Sequence, residues 1–476
     1  MQPTDIKLKN SLEAISKKWD DDIIPQLQNY IRIPNKSPMF DPEWKEHGFM
    51  DQAMQLIIDW CQQQGINNMT LQRLEEPGRT PLLFIEVKGD IDDTILLYGH
   101  MDKQPEMEGW DDDKGPWHPV ILDGKLYGRG GADDGYAVFA SLTAIKTLQD
   151  NNIPHSRCVI IIEGSEESAS HDLPHYLKQL KAQIGNPSLV ICLDSGCANY
   201  EQLWSTTSLR GVIEGVLKID ILHCGIHSGV GGGVVPPAFN ILRQLLDRIQ
   251  NHTTHEVLLE ELKADIPQQR VEQAQLATEQ LGEAIISGYP FVGDATAVTD
   301  DLTELTLNRT WRAAMAVVGS DGLPSSEKGG NVTIPRLSVK LSLRIPPTCD
   351  PDTAIAAVKK ILEENPPHDA QISFTPGHGG AGWNAPALTP WLEAANEKAS
   401  QLFYGKPAGY IGEGGSIPFM GMLGDMYPDA QFLIAGVLGP NSNAHGPNEF
   451  LHIDMGKRLT GCVASVIASH YDAFKK

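Results

Sequence analysis

The stretch Val159-Ile160-Ile161-Ile162-Glu163-Gly164-Ser165-Glu166-Glu167-Ser168-Ala169-Ser170 opens with four β-branched residues and arrives at two adjacent carboxylates. An apolar run of this kind predicts a strand buried on both faces, as in a largely parallel sheet. Glu166 and Glu167 then fall where the strand ends, although neighbouring like charges repel and resist burial. One reading is a solvated turn before a helix, because acidic side chains favour helix N-termini. The other is a catalytic base beside a metal ligand. The rest of the chain has to separate the two.

Three other runs share this texture: TILLYG at 94–99, LVICLD at 189–194 and FLIAGV at 432–437. Helical patterns such as YAVFASLTAIKTLQD at 136–150 lie between or beside them. The alternation predicts an α/β domain built on a mostly parallel sheet with helices on both faces. Ligands of such sheets bind beyond the carboxyl ends of the strands. From about 210 to 380 the texture changes. GVIEGVLKIDIL and RLSVKLSLRI alternate strictly, as half-exposed antiparallel strands do, while AFNILRQLLDRIQ and DTAIAAVKKILEEN carry helical spacing. These elements, closed by AQISF, predict an inserted α+β ferredoxin-like unit with a helical insertion of its own around 253–315. FLIAGV returns afterwards to the first sheet. The expected domains are therefore 1–209, 210–380 and 381–476, the outer two forming one catalytic domain and the inner one a lid and dimerisation domain. A chain of 476 residues is longer than one core usually supports.

The formal charge of −23 argues against a general nucleic-acid partner, which needs a basic face. MQPTDIKLKNSLEAISKKW lacks the apolar core of a signal peptide, and no run of 18 or more apolar residues follows, so no membrane partner is expected. Seven scattered cysteines without a CxxC pair form no disulfide framework, which points to the cytoplasm.

The polar residues gather where the strands end. His100 and Asp102 follow TILLYG, Asp133 and Asp134 stand in GRGGADDG at a helix start, and Asp194 ends LVICLD. His445 lies in NSNAHGPNE, after FLIAGV. Imidazoles and carboxylates without a thiolate suit zinc, manganese or cobalt. Two divalent ions carry four positive charges, which the carboxylates of Asp133, Glu167 and Asp194 and one hydroxide would balance. Ser165 and Ser168 lack the GxSxG elbow of a nucleophile, and GRGGADDG lacks the GKS or GKT ending of a phosphate loop.

The run GHMDKQPEMEGWDDDKGPWHPVILDGKLYGRGGADDG closely resembles the signature of the dinuclear zinc exopeptidases and deacylases. The likeness continues through EGSEES, LDSG, HSGVGGG, LSLRIPP, GEGGSIP and AHGPNE, so it covers nearly the whole chain in order. The length and the run GHGGAGWNAP lean toward the carnosine-dipeptidase branch. The resemblance implies two divalent ions, zinc first among them. His100 and Asp194 would be terminal ligands of one ion, Glu167 and His445 of the other, and Asp133 would bridge both. It implies Glu166 as general base, taking a proton from a metal-bridging water and passing it to the leaving amine. Asp102, two residues beyond His100, would receive the other ring N–H of that histidine.

For substrate, the resemblance implies Arg344 on a terminal carboxylate, where a two-pronged guanidinium is apt. His227 would stabilise the oxyanion across a homodimer, and His378 and Ser416 would make further substrate contacts. The implied substrate is a dipeptide or small peptide. N-acyl amino-acid deacylation and desuccinylation use the same site and stay open; a non-catalytic metal-binding scaffold is a third reading, one that would fit better had Glu166 been lost. Two positions depart from the family pattern. Gly135 follows the paired aspartates where a lysine is usual, and Gly412 precedes the EGGSIP-like run where an arginine is usual.

Overall fold

The computed structural model describes residues 3–415 and 417–475, apart from the side chains of His378 and Pro418. The chain divides into two compact units. One runs as far as Thr206 and takes up again over Ala385–Ile411 and from Met422 onward; the other comprises Thr207–Asn384 with Gly412–Gly421.

The first unit is built on a six-stranded sheet, ordered Met69–Leu74, Leu82–Val87, Ser156–Glu163, Ile91–His100, Pro187–Cys192, Gln431–Ile434. The last four strands are mutually parallel and contain the four apolar runs; the first two are antiparallel additions at one edge. Ile160, Ile161 and Ile162 are buried. Each such side chain contributes roughly 1.5–3 kcal/mol by leaving water, so a polar replacement there would undo the strand. The helix Ile453–Phe474 packs on Ala137–Asp150 and on Pro390–Phe403, supplying the cover a parallel sheet requires. Adjacent parallel strands bring His100 opposite Glu163 in register. Their carboxyl ends therefore open at one edge.

The second unit holds a four-stranded antiparallel sheet, ordered Ala314–Asp321, Arg336–Ile345, Gly211–Asp220, Gln371–Gly380. With the helices Ala238–Leu246 and Pro351–Glu363 this is the ferredoxin-like order. The alternating strands turn Ile213, Leu217, Leu341 and Leu343 into one core with Ile241, Leu245 and Val358. The edge strand Ala314–Asp321 begins inside the stretch expected to be helical. Val317 and Val318 are both exposed and a register shift follows Val317, so the strand carries no period-two signal. The insertion is otherwise helical, with Gln268–Leu281 and Leu302–Thr310 as its longest helices. No helix among the described residues is long and apolar enough to cross a membrane.

Candidate dinuclear metal centre

Apart from Asp133 and Asp134, the polar residues of interest in the first unit sit at the carboxyl ends of parallel strands or in the loops beyond them. His100 is the last residue of Ile91–His100, Asp194 lies two past Pro187–Cys192, and Glu166 and Glu167 open a short 3₁₀ turn after Ser156–Glu163. Asp133 and Asp134 occupy the turn Gly131–Gly135 that leads into the helix Ala137–Asp150, and the peptide between them is cis.

Asp133 is the centre of the arrangement. Its Oδ1 lies 3.2 Å from His100 Nε2 and its Oδ2 lies 2.9 Å from His445 Nε2, so one carboxylate faces two histidines with separate oxygens. Asp194 Oδ2 is 3.7 Å from the same His100 nitrogen, and Glu167 Oε2 is 3.5 Å from the His445 nitrogen. The result is two groups of three potential ligands, His100–Asp133–Asp194 and Asp133–Glu167–His445, with donor atoms within 4.8 Å of one another in each. Imidazole and carboxylate donors in two overlapping triads fit a pair of divalent ions.

The electrostatics agree with that fit. Burial pushes the Glu166 and Glu167 carboxyls well above the usual range, reinforced for Glu166 by Asp194 and for Glu167 by Asp133. Burial likewise raises Asp194. Burial opposes ionisation of Asp133 too, but hydrogen bonds from His100 and His445 outweigh it and hold that carboxyl low. Burial would drive His100 neutral, yet Asp194, Asp102 and Asp133 raise its proton affinity. Among the described residues, the ion-pair partners of Asp133, Asp194 and Glu167 are these two histidines alone. Carboxylates in this number, with no lysine or arginine paired to them, make a cluster that favours added cations.

Asp102 is fully buried and differs in detail from expectation. The His100 ring Nδ1 is 3.1 Å from the main-chain carbonyl of Asp102 and 3.5 Å from its carboxylate. The carboxylate itself accepts the backbone N–H of Glu166 at 3.1 Å and of Glu167 at 3.0 Å, one on each oxygen. One residue thus sets the histidine through its main chain and the two glutamates through its side chain. Glu163 completes the loop. Buried at the strand end, it accepts hydroxyls from Tyr98 at 2.6 Å, Ser170 at 2.8 Å and Ser165 at 3.1 Å. Burial and Asp102 push its carboxyl up to about 7.

Several supporting residues escaped the sequence reading. Arg129 and Glu449 form a fully buried ion pair. Arg129 also donates to the Gly446 carbonyl at 2.8 Å, beside His445, while Glu449 accepts the Gly130 N–H at 2.9 Å. The pair ties the loop of His445 to the turn of Asp133. Gln104 donates to Glu167 at 2.5 Å. GRGG and AHGPNE held the signal for Arg129 and Glu449, but the two lie 320 residues apart and only folding joins them.

At Gly135 and Gly412 the structure leaves little room for a side chain. A Cβ at Gly135 would overlap the Tyr30 ring and lie 2.7 Å from the Gly130 carbonyl oxygen. The same Tyr30 ring carries the buried ammonium of Lys103 at 3.9 Å, and that ammonium donates to the Tyr30 and Ile33 carbonyls at 2.7 Å each. At Gly412 a Cβ would overlap Ser208 and lie 2.8 Å from Thr310 Cβ.

In the second unit, His227 is exposed and accepts the Gly229 N–H on Nδ1 at 3.1 Å. Arg344 pairs in register with Val212 and Ala314, on the sheet face opposite the core. The side chain of His378 and all of Ser416 lie outside the described residues.

A carboxylate-rich edge of an α/β sheet, with two metal-ligand triads and a glutamate beside them, is the layout of a metal-dependent hydrolase. Residues 96–469 match peptidase family M20/M25/M40, and the chain belongs to that family. Among curated relatives it is 28% identical over 381 residues to a cysteinylglycine-S-conjugate dipeptidase of Corynebacterium striatum, covering 77% of this chain and 79% of that one. It is 23% identical over 457 residues to the human β-Ala-His dipeptidase, covering 90% of this chain and 86% of that one. Among solved structures, the di-peptidase Dug1p of Saccharomyces cerevisiae superposes with a TM-score of 0.72 at 21% identity, with all of both chains covered. Human carnosine dipeptidase 1 gives 0.73 at 19% identity, covering 97% of this chain and 99% of that one. Such identities carry the fold.

Proposed function

We propose that this protein hydrolyses the amide bond of dipeptides or small peptides with two divalent metal ions, zinc being the first choice, and Glu166 as general base. The observation that carries the reading is Asp133, whose two oxygens face two different histidines while Glu166 stands beside the triads without belonging to either. His100 and Asp194 would hold one ion, Glu167 and His445 the other, and Asp133 both. Ions held there supply Lewis acidity, lowering the pKa of a water and polarising the scissile carbonyl.

The remaining work falls to the chain. The Glu166 carboxylate takes the proton of the attacking water and delivers it to the leaving amine. Asp102 keeps both glutamates in place by holding their N–H groups. Arg344 binds the substrate's terminal carboxylate, His378 and Ser416 make further substrate contacts, and His227 steadies the oxyanion from a second subunit.

The second unit supports a homodimer through its exposed apolar residues, among them Val230, Val234, Phe239, Val317, Val318 and Val332. A monomer with full activity would remove the role given to His227. All seven cysteines are free, five of them buried, which supports a reducing cytoplasm.

Amine release tests the assignment, measured on chelator-stripped protein and again after adding zinc or manganese. Free dipeptides, their N-acetylated counterparts and N-acyl amino acids form the panel. Metal-restored cleavage of the free dipeptides alone is expected. Cleavage of only the acylated compounds would instead make the protein a deacylase.

A further inference from the structure

We propose that Lys103 is a positioning residue that sets the turn of Asp133 at its distance from His100, so that the two can share an ion. This role rests on the metal assignment above and adds the residue that joins two of its loops.

A lysine is almost never fully buried unless an acid pairs with it. Lys103 is fully buried, and among the described residues it has no ion-pair partner. Its Nζ donates instead to the Tyr30 and Ile33 carbonyls, about the end of the helix Ile24–Ile31, at 2.7 Å each. The same nitrogen lies 3.9 Å from the centre of the Tyr30 ring. Burial pulls its pKa well down, but charged or neutral it has N–H groups for both carbonyls.

Each part of the residue belongs to a different element. Its main chain continues the loop of His100, and its carbonyl accepts the Ser37 N–H at 2.9 Å. Its stem lies on Gly130, where a Cβ would come within 2.6–2.7 Å of Lys103 Cγ, Cδ and Cε. Gly130 has a φ of +80°, precedes the turn of Asp133 and accepts the Gly135 N–H at 3.0 Å. The Tyr30 ring beneath the amine packs on Gly135, at the far end of that turn. The Tyr30 hydroxyl then donates to the Met101 carbonyl at 2.5 Å, beside His100, and Asn35 donates to the same carbonyl at 2.5 Å. The turn of Asp133 is thus gripped at both ends by side chains fastened to the loop of His100. The distance so fixed is the 3.2 Å between Asp133 Oδ1 and His100 Nε2.

A separate tie joins this turn to the loop of His445, because Glu449 accepts the Gly130 N–H and pairs with Arg129. Loss of the Lys103 grip therefore loosens Asp133 against His100 and leaves it set against His445. A lysine that merely filled the core would weaken both ions or neither.

K103M keeps a stem of similar length and removes the N–H groups. Cobalt(II) is titrated into metal-stripped wild type and K103M against a competing chelator, and its visible d–d absorption is followed. Two ions should bind the wild type. In K103M one ion should bind about 10–100-fold more weakly and with a shifted spectrum, while the other keeps its affinity. K103Q, with an N–H donor on a shorter stem, should fall between the two and replaces K103M if that variant does not fold. Unchanged affinities, an equal loss of both ions, or failure of both variants to fold overturns the role. No substrate enters the measurement. Selective loss of one ion in a protein that cleaves no dipeptide would sink the dipeptidase reading and leave Lys103 standing. Dipeptide cleavage with both cobalt affinities untouched in K103M would do the reverse. A wild type that takes up no cobalt removes the metal assignment and this role together.

Discussion

His100 and His470 are buried histidines at opposite ends of the same parallel strands, and they hold their protons in opposite ways. His100 faces the carboxylates of Asp133 and Asp194, which raise its proton affinity against the pull of burial. His470 sits at the amino ends, its ring nitrogens 2.7 Å from the hydroxyls of Ser156 and Ser188, stacked on Phe474. Burial lowers its pKa to about 4, and Asp93 at 3.5 Å opposes this only in part. Desolvation disfavours the charged form at both ends. The difference is made by how many carboxylates the loops deliver. At the amino ends His470 meets one acid, Asp93, among hydroxyls and rings, whereas the carboxyl ends collect several acids that favour cations.

Replacing the base should have the largest effect. E166Q keeps the shape and both triads, so it should lower kcat by about 10²–10⁴-fold while the bound metal is retained. Steady-state rates together with metal analysis would show both. R129M comes next, because it leaves Glu449 buried without its partner. Denaturant unfolding should show a loss of about 3–5 kcal/mol, much of it recovered in R129M/E449M, which removes the stranded charge.

The amino end gives a pH prediction. His470 has a folded pKa below its unfolded value, so the unfolded chain binds the extra proton first. The stabilisation is present above about 6.5 and is lost as pH falls toward 4, by about 3 kcal/mol in all. H470N should flatten that part of the unfolding profile relative to wild type. An unchanged slope would mean that this end is not held neutral as described. D102N is the smallest change. Its amide keeps one acceptor for the glutamate N–H groups but turns a donor on the other, and metal affinity should fall about 10–100-fold by competition with a chelator.

Much of the carboxyl end was legible because parallel strands write themselves as short apolar runs, and each run points to the residues just after it. His100, Glu166, Glu167 and Asp194 were readable in that way. Asp133 and His445 lie in loops and were placed by motif rather than by period. What stayed illegible depends on distant partners or main-chain atoms. The Arg129–Glu449 pair joins positions 320 residues apart, and Asp102 uses its carboxylate on two N–H groups that no side-chain pattern reveals. The edge strand Ala314–Asp321 was missed because an exposed edge need not alternate. Met69–Leu74 and Leu82–Val87 were also unread, being antiparallel additions outside the parallel run. The His470 cluster offers five unremarkable residues in sequence, and only the strand register brings Ser156 and Ser188 to one ring.

The sharing of Asp133 between two ions is the claim on which the rest depends, and metal stoichiometry after dialysis tests it most directly. Wild-type protein should retain two divalent ions per chain, and D133N, with one shared oxygen replaced by an amide, should retain neither. A D133N protein that still holds two ions would contradict the shared site.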